Sequence, residues 1–133
     1  KCSLVTGIPE VSENIRINGI IDRYLEHSRI FIFCNGGRGR ERYFIGSADW
    51  MTRNLDHRVE VYAPVHDRAI QAELRRIIEY GLRDNVAARV VDGTGENRLY
   101  ENDLPPFRSQ SELYRFYTEQ ANEQLTQREH AGK

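Results

Sequence analysis

The sequence predicts a mixed α/β domain in which a partly antiparallel sheet is flanked by helices. Three observations carry that expectation. Two apolar runs, residues 29–34 and 42–46, are separated by Asn35-Gly36-Gly37, a strong hairpin signal. Ile70, Leu74, Ile77, Ile78 and Leu82 fall on one helical stripe behind Asp67, a good cap. A last helical pattern, with Leu113, Phe116, Tyr117, Gln120 and Leu125 along one side, closes the chain. Strands interleaved with helices, without an internal repeat, describe one layered domain.

In chain order, residues 1–14 read as irregular, punctuated by Gly7, Pro9 and Asn14. Residues 15–17 alternate as a short strand, and Asn18 is placed to cap a brief helix bearing Ile20, Ile21, Tyr24 and Leu25. Residues 29–34 are apolar on both faces, which predicts a central strand. Arg38, Arg40 and Arg42 make a basic hairpin tip, read as a solvated turn in preference to a guide for polyanions. Residues 58–65 alternate as a third strand with Pro64 near its end. The helix behind Asp67 follows, with Gly81 in its last turn, and residues 87–91 make a further short strand. Residues 92–97 are a turn, because no Lys-Ser or Lys-Thr follows them as a phosphate loop requires. Leu104-Pro105-Pro106-Phe107 is an extended connector. Ser109 or Ser111 opens the final helix, and its tail, residues 128–133, is expected to fray.

Composition narrows the function. A chain of 133 residues suits a single domain that buries roughly two-thirds of its unfolded surface. A net charge of −1 gives no global field for drawing in polyanions, so any anion site must be local. Cys2 and Cys34 are too few for a disulfide framework and are expected as free thiols in a reducing cytoplasm. No apolar run approaches the roughly 18 residues of a membrane span. The opening residues, with no initiator methionine, read as the middle of a longer protein, so residues 1–133 are expected to be a single-domain fragment lacking its N-terminal part.

The chemistry concentrates in two places. Period-two alternation puts His27 and Arg29 on one face at the start of the 29–34 strand. If the hairpin pairs that strand with residues 42–46, Gly46, Ser47 and Asp49 emerge beside His27. The Ser47 hydroxyl and the Asp49 carboxylate would then reach the ring, and Gly46 would offer its N–H to an anion. A buried core histidine, and a helix cap at Ser47 or Asp49, are the structural alternatives. An imidazole among fixed cations and donors is what phosphoryl transfer needs, because the charge of the transferred group must be neutralised and its oxygens held in line. Arg53 and Arg58 are placed to line the same groove, or to pair with Asp49, Asp56 or Glu60. Trp50 and Met51 read as packing. His57, His66 and His130 lack a second ligand at metal spacing, so no metal site is expected within these residues.

This constellation resembles a phospholipase D superfamily half-site, His-x-Lys, four residues, Asp, six residues, Gly-Ser-x-Asn, with three departures. Arg29 replaces the lysine, Cys34 the aspartate and Asp49 the asparagine, and the arginine-tipped hairpin lengthens the gap. The same departures are similar to another branch of that superfamily. Cys2-Ser3-Leu4 with Gly7, Ser12-Glu13-Asn14-Ile15, the run from Arg23 to Ile30, and the run from Gly46 to Glu60 resemble the C-terminal domain of bacterial polyphosphate kinases. The resemblance extends from Cys2 to about Val90, and beyond Asp92 rests mainly on the closing helix. It implies a phospholipase-D-like mixed sheet flanked by helices, present here in part.

The family resemblance further implies reversible transfer of the terminal phosphate of ATP to inorganic polyphosphate through a phosphohistidine on the preceding domain. The histidine at position 27 would contact the nucleotide phosphates and act as a proton donor to departing ADP. Arg29, Ser47, Asp49 and Arg53 would contribute to ATP or phosphate binding. Magnesium and the adenine contacts would lie upstream, and an arginine just before the first motif would supply another phosphate contact. The resemblance also implies ATP, ADP and polyphosphate as partners, assembly with the preceding domains and with further copies, and no nucleic acid. The expected location is cytoplasmic, with peripheral membrane contact left open, and residues 1–133 alone are expected to be inactive. Two other readings stay in view. A phosphodiesterase or nuclease half-site calls for Lys at 29 and Asp at 34, and a non-enzymatic polyanion-binding module calls for a basic surface.

Overall fold

Eight elements follow one another: β1 (Asn18–Ile20), β2 (Ile30–Phe33), β3 (Arg42–Gly46), α1 (Thr52–Leu55), β4 (Tyr62–Val65), α2 (Arg68–Arg83), β5 (Ala88–Val90) and α3 (Ser109–Ala131). The computed structural model describes residues 4–131, so Cys2 and Ser3 of the first motif lie outside the described residues. The architecture is mixed α/β, with a three-stranded antiparallel sheet in the order β2-β3-β4 and a two-stranded one formed by β1 and β5.

The hairpin forms as its turn chemistry dictates. Ile30 pairs with Ile45 and Phe33 with Arg42 across it. Asn35, Gly36 and Gly37 all take positive φ in the connection, the region that glycine enters without strain. At its tip the Arg40 guanidinium folds back onto the Gly36 and Gly37 carbonyls, so the basic tip is a self-braced turn. Strand β4 adds to the far side of β3, pairing Gly46 with Tyr62 and Tyr43 with Val65. This corrects one expectation: β3 is central and β2 is an edge. Residues 30–33 look apolar on both faces because the face turned away from α2 carries rings that pack on one another. Phe31 meets Tyr62 edge-on at 5.0 Å, and Phe33 meets Phe44 at 5.8 Å. Pro64 sits on the other edge strand, where a missing N–H is tolerated. The inner face rests on α2, where the buried Tyr43 hydroxyl accepts from Arg75 Nε at 2.8 Å.

Strand β1 falls three residues later than the alternation suggested, and the brief helix after it does not form. Asn18, Gly19 and Ile20 instead complete a ladder with Val90, Arg89 and Ala88, and the Ile21 amide extends it to the Ala87 carbonyl at 3.2 Å. Backbone groups satisfied across a ladder outweigh a short helical pattern rich in β-branched isoleucine. Residues 22–26 are then gripped by the start of α3. Gln110 accepts from the Tyr24 amide at 3.0 Å and donates to the Tyr24 carbonyl at 2.7 Å, and Arg108 forks onto Asp22.

Helix α2 starts where expected, the Asp67 carboxylate accepting from the Ala69 and Ile70 amides at 2.8 and 3.0 Å. Gly81 lets β1 approach: a Cβ there would sit 3.4 Å from Ile20. The end of α2 is tied to everything after it by Asp84, which is fully buried. One oxygen accepts from the Val86, Ala87 and Ala88 amides; the other takes both the amide and hydroxyl of Ser109, at 2.7 Å each. Ser109 therefore opens α3, as the sequence suggested. The helix continues through Ala131 instead of fraying from residue 128, and residues 132–133 lie outside the described residues.

The accessible surface is 10674 Å². A compact monomer of 15.5 kDa would expose about 7,200 Å². Burial thus reaches roughly half of the unfolded chain's surface and not the two-thirds expected. The open area includes the aromatic sheet face, where Phe33 and Trp50 are 57% and 65% exposed.

Candidate active site

The site stands at the end of the hairpin where β2 begins and β3 ends. The Gly46 amide donates to the Arg29 carbonyl at 3.0 Å, carrying the ladder one residue past β2 and bringing the 46–55 segment alongside Arg29. Arg29 Nε then donates to Asp49 Oδ1 at 2.8 Å, while its NH1 lies 3.1 Å from His27 Nδ1 and 3.4 Å from the His27 carbonyl. One planar fork therefore holds a carboxylate on one side and an imidazole on the other. The Arg29 side chain is 22% exposed, Asp49 39%, and His27 faces solvent. The buried-histidine alternative does not hold.

Arginine has no acceptor atom, so the contact defines the ring. In the neutral ring His27 Nδ1 presents its lone pair to Arg29, and the proton sits on Nε2. The hydrogen bond from Arg29, opposed by desolvation and helped by the charges of Arg29, Arg53 and His27, holds the Asp49 carboxyl below its usual value. Asp49 in turn keeps Arg29 firmly a cation.

Ser47 takes another direction. Its hydroxyl donates to Glu60 Oε2 and accepts from the Val61 amide at 3.1 Å, so it does not reach the imidazole. Nor is the Gly46 N–H free for an anion. It belongs to the ladder, and Gly46 is required instead because a Cβ would stand 2.5 Å from the Tyr62 ring. Helix α1 is capped by neither Ser47 nor Asp49: Met51 is its N-cap, with no side-chain bond. Arg53 and Arg58 are exposed, and among the described residues neither closes an ion pair. Their charges still act, Arg53 on Asp49 and Arg58 on Glu60. Trp50 stacks on Phe31 at 6.0 Å.

Two residues of this neighbourhood were not singled out for the site by sequence reasoning. Asn54, 2% exposed, donates to Glu60 Oε1 at 2.8 Å, so Glu60 bridges Ser47 and Asn54. The Ser47 hydroxyl, and next the Asn54 amide, hold the Glu60 carboxyl below its usual value. The available signal was register. Extending the Gly46–Tyr62 pair sets Ser47 against Val61 and brings Glu60 to the same end of the sheet.

Among the described residues no three His, Cys, Asp or Glu side chains gather to hold a metal ion, and Asp49 and Glu60 are each engaged by side-chain donors. Among them, too, no helix is long and apolar enough to cross a membrane.

Comparison with known proteins decides the family. The family described as polyphosphate kinase C-terminal domain 2 matches residues 1–110. The chain belongs to the polyphosphate kinase C-terminal domain family. Polyphosphate kinase 1 of Chlorobaculum tepidum is 45% identical over 118 residues, 89% of this chain and 17% of that protein. The polyphosphate kinase of Thermosynechococcus vestitus is 52% identical over 99 residues, 73% of this chain and 13% of that one. The crystal structure of polyphosphate kinase from Porphyromonas gingivalis superposes with a TM-score of 0.81 at 43% identity, covering 90% of this chain and 18% of that one. The chain thus spans about one-sixth of the length of these polyphosphate kinases, and its mixed α/β fold is that of the corresponding part.

Proposed function

We propose that this chain forms one wall of a phosphotransfer site, in a protein that moves the terminal phosphate of ATP reversibly to inorganic polyphosphate. The observation that carries the reading is the Arg29 fork, which presents a solvent-facing imidazole beside a fixed cation at the mouth of the hairpin. His27 Nε2–H points a donor outward, and the Arg29 N–H groups not used by Asp49 and His27 are available to phosphate oxygens. Arg53 and Arg58 add positive field and, among the described residues, close no ion pairs of their own.

In this reading a histidine of the preceding domain attacks the γ-phosphorus of ATP. The new N–P bond forms as the bond to the bridging oxygen breaks, and the electron pair leaves with ADP. His27 and Arg29 hold the oxygens on which that charge collects. The phosphohistidine then yields its phosphoryl group to the terminal oxygen of polyphosphate. On this reading His27, with Nδ1 toward Arg29, stabilises ADP by a hydrogen bond from Nε2–H. Outright proton delivery needs a doubly protonated ring, which must part from Arg29. Ser47, turned toward Glu60, serves the shape of the site and not the phosphate. Magnesium is assigned to residues elsewhere in the protein. Association of further copies and a cytoplasmic location belong to the same proposal.

The experiment is transfer from γ-labelled ATP by the full-length polypeptide, read as acid-labile product of dispersed chain length. His27→Ala is expected to lose on the order of 10²–10⁴ in turnover. Undiminished turnover removes His27 from the mechanism. Residues 1–133 alone should make no polymer, because the attacking histidine is missing; synthesis by them would overturn the division of the site.

A further inference from the structure

Between the end of β3 and the start of β4 the chain runs out and back over residues 47–61, carrying Asp49 at its near end. Asp49 holds Arg29 and so sets where the His27 ring lies. What fixes Asp49 is not its own contacts alone. The span is closed at its base by the Ser47 amide on the Val61 carbonyl and by the Val61 amide on Ser47 Oγ, both at 3.1 Å. It is closed a second time by Glu60, which receives the Ser47 hydroxyl on one oxygen and the buried Asn54 amide on the other. Ser47 and Asn54 flank Asp49 in the chain, and the Asp49 carbonyl is itself tied to the Met51 amide at 2.8 Å.

From this we infer that Glu60 is a positioning residue of the phosphotransfer site: by clamping Ser47 and Asn54 together it holds Asp49 against Arg29 and keeps the His27 ring in register. The inference rests on the functional reading above and deepens it. Glu60 touches neither His27 nor any group placed at the phosphate. A carboxylate suits the task because it accepts two donors at once, one on each oxygen. Removing it strands the Asn54 amide in a buried position where Asn54 Oδ1 already has no partner. Glutamine keeps an oxygen for Asn54 and offers its amide to Ser47 Oγ.

The test uses the full-length polypeptide with nitrogen-labelled histidine, in Glu60→Ala and Glu60→Gln forms. The Glu60→Ala ring signals of His27 are expected to move from the Nε2–H tautomer toward an averaged pair. Its kcat for ATP-to-polyphosphate transfer should fall on the order of 10- to 100-fold, with a much smaller change in KM, as a displaced reacting group requires. Glu60→Gln should recover most of both. Unchanged His27 signals in Glu60→Ala, or a kcat loss that Glu60→Gln does not relieve, overturns the inference. If Glu60→Ala does not fold, Ser47→Ala removes one arm of the clamp, and the same displacement of the ring signals is required of it. If the unmodified polypeptide shows no phosphotransfer, the functional reading fails, while the ring signals still decide the role of Glu60.

Discussion

Nδ1 of His27 lies 3.1 Å from NH1 of Arg29, and a guanidinium that can only donate fixes the ring's remaining proton on the opposite nitrogen. Nitrogen shifts of the neutral His27 ring should therefore report the Nε2–H form. Arg29→Lys keeps the charge but not the planar fork. It is expected to release the ring to a tautomer mixture and to weaken the hold on Asp49. A ring already averaged with Arg29 intact would contradict the geometry.

Asp84 should be the most sensitive side chain for stability. Its carboxylate serves four amides and one hydroxyl from β5 and its approach and from the first residue of α3. Asp84→Ala orphans those donors in the interior and should cost about 3–5 kcal/mol in denaturant unfolding. Desolvation pushes this carboxyl up, but the Ala87 and Ser109 donors outweigh it, leaving it below 3.8 when folded. The contribution is therefore complete above that value and fades as pH falls through the folded-state value. The acid limb of the stability curve should flatten in Asp84→Asn.

The 92–98 turn offers a clean titration. The Thr94 hydroxyl, then Arg98, then the Thr94 amide bring the Asp92 carboxyl down from 3.8 to about 2. A carbon-detected titration of Asp92 should find that midpoint. Arg98→Ala should raise it only part of the way, since Thr94 still donates at 2.7 Å.

Residues 22–26, which lead directly to His27, are held by the first turn of α3. Gln110→Ala removes the acceptor for the Tyr24 amide and the donors to the Tyr24 carbonyl and to Glu26 at 2.8 Å. Hydrogen exchange at Tyr24 should quicken about 5- to 30-fold, equivalent to about 1–2 kcal/mol of lost protection. Exchange at Phe31, inside the β2–β3 ladder, should not change. Equal quickening at both positions would mean that α3 supports the whole sheet.

What the sequence made legible was local. The hairpin, the Asp67 cap and the start of α2 each follow from residues within a few positions of one another, and all appear where the pattern put them; of the α2 stripe, Leu74, Ile77 and Ile78 are half-buried while Ile70 and Leu82 stay exposed. The shift of β1 was hidden because its partner, β5, lies far along the chain, and only pairing reveals which residues enter the ladder. The edge position of β2 was hidden for a related reason. A face that carries clustered rings and a face covered by a helix are equally apolar, and pattern cannot tell them apart. At the site, alternation and hairpin register place His27, Arg29 and Asp49 at one end of the sheet, but the Asp49 carboxylate bonds Arg29 and not the ring that it was expected to reach. The direction of Ser47 was not readable, because it depends on Glu60, which arrives from another strand.

The ring-covered side of the β2-β3-β4 sheet has a practical corollary. Phe31, Phe33, Phe44, Trp50, Leu55 and Tyr62 line a wide, shallow hollow with almost no polar atoms, and hydrocarbon in that state adheres to whatever offers more of the same. Purified by itself, the polypeptide should brighten solvatochromic dyes, take up detergent tails and self-associate as its concentration rises. The strand that follows Arg29 is thus also the one that carries this exposed aromatic surface.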